Sequence, residues 1–143
     1  MEIFLEQDAN PYWTVNTHGE LTSAFVGLKM ADEIIYHGQI ALDWEETEGN
    51  HHKVWVHKYY KAIAYRLKGD LDLALKLLEE SRALAMEHSR NFHTSAVDID
   101  KEVGEILIMQ GKVEKGQELI RRAENVQKSI DGKNTYENSL SGK

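Results

Sequence analysis

The chain has no cysteine and a single proline. The first absence removes disulfide frameworks, thiol nucleophiles and cysteine-based zinc sites. The second leaves few obstacles to long helices. No apolar run approaches the ~20 residues that a membrane-spanning helix needs. The opening MEIFLEQDANP carries acids where a secretory leader would be basic, so a cytoplasmic protein with no membrane attachment is expected. Bases are outnumbered, 17 to 24, and the net charge is −7, which disfavours non-specific nucleic-acid binding. Catalytic signatures are missing as well: there is no GxSxG, GxGxxG or HExxH, and Gly104 to Gly111-Lys112 has the wrong length for a phosphate-binding loop. A non-enzyme without a cofactor is the expectation.

What is present is helical periodicity. From Trp55 to His88 the chain reads as two helices joined at Gly69-Asp70. Val54, Trp55, Val56, Tyr59, Tyr60, Ala62, Ile63, Ala64, Tyr65 and Leu67 cover most of the first helix's circumference, so it must be buried on more than one side. Gly69 suits a left-handed C-terminal residue and Asp70 an N-cap. Leu71, Ala74, Leu75, Leu77, Leu78, Ala83 and Leu84 form an apolar stripe on the second helix. So short a turn makes the pair antiparallel.

Ala62, Tyr65, Gly69, Ala74 and Leu78 resemble the signature of a tetratricopeptide (TPR) repeat. Gly104, Leu107, Gly111, Gly116, Ile120 and Ala123 fall in the equivalent places, and Tyr12, Gly19, Ala24, Leu28 and Ala31 make a weaker first copy. Gly69 and Gly111 stand 42 residues apart (111 − 69), as in a long variant of a repeat whose usual period is about 34. Lys58, Lys61 and Ser81 depart from the pattern, as does Asp100. The resemblance implies an all-α fold of antiparallel helix pairs stacked as a short right-handed solenoid of about six helices. One domain over residues 1–128 and a disordered tail over 129–143 are expected.

Around the repeats, Asn10-Pro11 is expected to open a short helix ending at Gly19, and a second helix to run from Glu20 through Ile35. Gly38 is expected to end or bend it, the segment Gly38–Asn50 stays open between helix and loop, and Glu45 to Asn50 read as solvated. A further helix is expected from Thr94 to Gln110, and a last one after Gly111-Lys112.

Charge is uneven. Residues 1–50 sum to −9, while residues 51–68 hold five bases and no acid. The bases have two readings, as register partners for acidic neighbouring helices or as an anion-binding groove.

In the TPR family the first helix of each pair lines the concave binding surface. Carried over to this chain, the lining is Val56, Tyr59, Tyr60, Ile63 and Arg66, then Lys101, Glu105 and Ile108. The resemblance implies a non-catalytic module that binds a protein or peptide, with acidic segments preferred. A homo-oligomer interface on the Tyr-rich surface is the first alternative, and a metal-binding or enzymatic helical protein the next. His51, His52 and His57, with Glu46 and Glu48 just before them and His88 and His93 further on, are the only metal-ligand candidates. Their spacing is poor for one helix face, so no metal is expected.

Overall fold

The computed structural model describes residues 21–22, 24–89 and 91–141, with backbone alone for 133–141. The expected helix after Pro11 and the turn at Gly19 lie outside these residues. Among the described residues the chain is helical, with no strand. A helical stretch ending at residue 27 precedes α1 (Ala31–Glu48), α2 (His51–Lys68), α3 (Leu71–His88), α4 (Phe92–Met109) and α5 (Val113–Ser141).

The helices are ended by one repeated device. Lys29, Gly49, Gly69 and Gly111 all take positive φ, at 57°, 74°, 87° and 86°. At each, two backbone N–H groups reach back to otherwise unpaired helix carbonyls. Gly69 donates to Arg66 at 3.0 Å and Asp70 to Tyr65 at 2.9 Å. Gly111 and Lys112 donate to Ile108 and Leu107, Gly49 and Asn50 to Glu46 and Glu45, and Lys29 and Met30 to Val26 and Phe25. Asp70 caps α3 as its sequence position predicts, its Oδ1 accepting from the Leu73 N–H at 3.3 Å.

Three corrections follow. The single helix expected from Glu20 through Ile35 is two, broken at Lys29-Met30. Gly38 neither ends nor bends α1: it is buried in its middle, where a Cβ would lie 3.5 Å from Thr22 Cγ2. The stretch from Glu45 is not a solvated loop, because α1 continues to Glu48 and Glu45 is only 3% exposed.

The chain divides into two compact units, Met1–His88 and Ser89–Lys143. In the first unit α2 packs against both α1 and α3. α1 contributes Ile34, Gly38, Ala41, Leu42 and Glu45 to the interior, the three-and-four spacing of one helix face. α3 contributes Ala74, Leu77, Leu78, Ser81 and Ala85, so the stripe turns onto Ala85, and Ala83 is exposed.

In the second unit α4 and α5 meet through glycines. A Cβ on Gly104 would lie 2.6 Å from Ile120 Cγ1 and 2.8 Å from the Gly116 carbonyl oxygen. Only bare backbone permits so close an approach. α5 runs through Ser141, past the start of the expected tail at 129. No proline interrupts it, Ile130 is half-buried, and Gln127 donates to Asp131 at 2.8 Å across one turn.

Candidate functional site

α2 carries most of the sequence-predicted lining. From Val54 to Leu67 every residue is buried or half-buried. Val56, Tyr59, Tyr60 and Arg66 are half-buried, and the two tyrosine rings lie 5.8 Å apart at 47°. Ile63, at 6% exposure, belongs to the core. In the second unit Lys101 is half-buried and Glu105 exposed on α4. Ile108 is half-buried against α5, where its Cγ1 would lie 2.6 Å from a Cβ on Gly116. Ile63 and Ile108 are therefore packing residues, while Tyr59, Tyr60, Arg66 and Lys101 are half-buried and Glu105 is exposed.

The bases of α2 are largely engaged within the first unit. Lys58 Nζ meets Glu80 of α3 at 3.0 Å, Lys61 donates to Gln39 of α1 at 2.8 Å, and Lys68 meets Asp32 of α1 at 2.6 Å. The hydrogen bond from Lys68 to Asp32 holds that ammonium above its ordinary pKa. These contacts give Lys58 and Lys61, which depart from the repeat pattern, a structural role. Ser81, the other departure, donates from its hydroxyl to the Trp55 carbonyl at 2.8 Å. Between α2 and its neighbours the lysines act as register partners.

The histidines separate. His51 stacks on His88 with centroids 4.9 Å apart, His52 and His93 are exposed, and His57 is 8% exposed. Glu46 and Glu48 are exposed. Among the described residues no group of three or more His, Asp or Glu side chains could hold a metal ion.

The polar feature that sequence spacing missed is Glu45 of α1 with His57 of α2. Both are buried, and Glu45 Oε2 and His57 Nδ1 have no hydrogen-bond partner. Burial lowers the His57 pKa from its ordinary 6.5, the Glu45 carboxylate opposes that shift, and Lys53 adds to it. The only sequence signal for this pair is that Glu45 continues the buried stripe Ile34, Gly38, Ala41 and Leu42.

On α5, Glu114, Lys115, Glu118, Leu119 and Arg122 line an open depression of about 450 Å³. Glu118 pairs with Arg121 and, at 3.1 Å, with Arg122. The Arg121 hydrogen bond is the main cause that holds its carboxyl below the usual range. The lining comes from one helix and its charges are mutually compensated, so it offers a surface and not an enclosure. The chain matches no family model, no curated protein and no solved structure.

Proposed function

We propose that the chain is a non-catalytic, TPR-like helical-repeat module that binds a segment of another protein. One observation carries this reading: of the four like turns at Lys29, Gly49, Gly69 and Gly111, those at Lys29, Gly69 and Gly111 stand 40 residues (69 − 29) and 42 residues (111 − 69) apart in matching surroundings. Seven residues before each turn stand Thr22, Ala62 and Gly104, and twelve after stand Ala41, Ser81 and Ala123. All six are buried. Repeats built on such a unit present one helix of each pair to a ligand. The residues offered are Val56, Tyr59, Tyr60 and Arg66 in the first unit and Lys101 and Glu105 in the second. Lys58, Lys61 and Lys68 meet partners in α1 and α3, so an acidic ligand would have to compete with those contacts for them.

The test is affinity capture with three full-length baits: wild type, Tyr59→Ala with Tyr60→Ala, and Lys101→Glu with Glu105→Lys. Circular dichroism first establishes that all three are folded. A protein retained by wild type and lost from either variant supports the module and names its ligand. Equal capture by all folded baits removes these faces from the binding surface. Self-association through the tyrosines is the second reading, favoured by the half-buried placement of both residues on one helix. Light scattering on wild type and Tyr60→Glu decides it: only an oligomer that the substitution dissociates supports that reading.

A further inference from the structure

Among the described residues, Glu45 and His57 are the buried ionisable side chains. They lie on adjacent helices near the α1–α2 turn, where the Glu45 carbonyl also accepts the N–H of Asn50 at 2.9 Å. The rest of the α1 interior face is apolar: Ile34, Gly38, Ala41 and Leu42. Towards the other end of α1, Lys61–Gln39 and Lys68–Asp32 fasten it to α2. At the turn end stand the Glu45 carboxyl and the His57 imidazole, both buried, with Oε2 and Nδ1 left without a hydrogen-bond partner.

We propose that the buried imidazole of His57 is an acid-sensitive latch at the turn end of the α1–α2 hairpin, closed while the ring is neutral and loosened when it takes up a proton, with Glu45 a neighbouring charge that moderates it. A neutral imidazole is tolerated in an apolar contact, and a cation there is costly. The charged groups around His57 are Glu45 on α1 and Lys53 on α2 itself. On the α3 side of α2 stands Glu80, already paired with Lys58. The Glu45 carboxylate offsets the charge only in part, because Lys53 opposes it and burial is the larger effect. Proton uptake therefore favours conformations in which α1 has drawn away from His57 and water reaches the ring. Movement of α1 would uncover the α2 surface beneath it, so acidification would alter what the first unit presents.

Hydrogen exchange on the full chain at pH 7.5 and pH 5.5, read by mass spectrometry and corrected for intrinsic rates, tests this. In the wild type the protection of α1 amides should fall by up to about tenfold at pH 5.5, one decade for each pH unit below the ordinary imidazole value. Amides of α5 serve as the internal reference. His57→Gln should abolish the fall, and Glu45→Gln, which removes the opposing carboxylate, should enlarge it. Unchanged or increased α1 protection at pH 5.5 overturns the latch, as does an equal fall in His57→Gln or a smaller one in Glu45→Gln. If a variant does not fold, the His57 ring titration followed by NMR in the wild-type chain decides. A midpoint at or above 6.5 overturns the proposal.

Discussion

At the scale of single residues, the two glycines of the α4–α5 contact make a sharp demand on side-chain size. A Cβ on Gly116 would collide with the Gly104 carbonyl oxygen and lie 2.6 Å from Ile108 Cγ1. Backbone cannot turn aside as a side-chain tip can, so Gly116→Ala must push the helices apart. Overpacking costs about 1–3 kcal/mol, and the helix propensity gained from alanine returns about 1 kcal/mol. The expected net loss is on the order of 1 kcal/mol in urea denaturation. Gly132, in the same helix, has nothing among the described residues within 4 Å of its would-be Cβ. There only propensity acts, and Gly132→Ala should stabilise the chain by roughly 0.5–1 kcal/mol. Opposite signs for one substitution in one helix separate packing from propensity. A gain at both positions would mean that the close glycine contact does not govern the hairpin.

At the scale of elements, the turns decide how the chain is divided, and they also mark what could be read from sequence. Gly69-Asp70 and Gly111-Lys112 were legible because glycine tolerates left-handed backbone and aspartate caps. Asp70→Ala should cost about 0.5–1 kcal/mol through the lost cap, measured as a lowered urea midpoint with an unchanged slope. The turn at Lys29 was not legible. Lysine at φ 57° carries no local signal, so the apolar spacing from Leu21 to Ile35 reads as one helix across residue 29. Left-handed backbone costs a non-glycine residue about 1–2 kcal/mol, while a glycine adds roughly 0.5–1 kcal/mol of unfolded-state entropy. Lys29→Gly should therefore stabilise the chain by about 0.5–1 kcal/mol, and a loss in the same assay would refute the turn. Glu45 failed for a different reason. Within the run Glu45-Glu46-Thr47-Glu48 it looks solvated, and only the helical phase running from Ile34 turns it inward. The groove residues divide on the same principle: the resemblance located α2, but which of its residues are enclosed depends on helices distant in sequence, so Ile63 went to the core.

At the scale of the whole molecule, the stability of the chain is tied to pH through imidazoles held in apolar surroundings. His57 is lowered mainly by burial. His37, stacked on Phe25 at 5.4 Å, is lowered by burial too, against an opposing pull from Glu33. A histidine whose folded pKa lies below its unfolded value binds fewer protons folded than unfolded. Its contribution is then fully present above the unfolded value, 6.5, and is lost as pH falls from there towards the folded value. For the buried His57 the loss between pH 6.5 and 5.5 has a ceiling of about 1 kcal/mol, reached only by a group that stays neutral throughout; His37 acts in the same direction and, being more accessible, contributes less. Lys68 and Glu118, whose pKa values are raised and lowered by exposed partners, keep their charge across this interval and add no slope. The wild-type chain should lose stability in urea as the pH drops from 7.5 to 5.5, a range above that in which most carboxylates titrate. His57→Gln should keep only the smaller slope left by His37. A wild-type profile that is flat, or that rises towards acid, would mean that Glu45 meets the imidazolium as a full ion pair and that burial does not dominate the site.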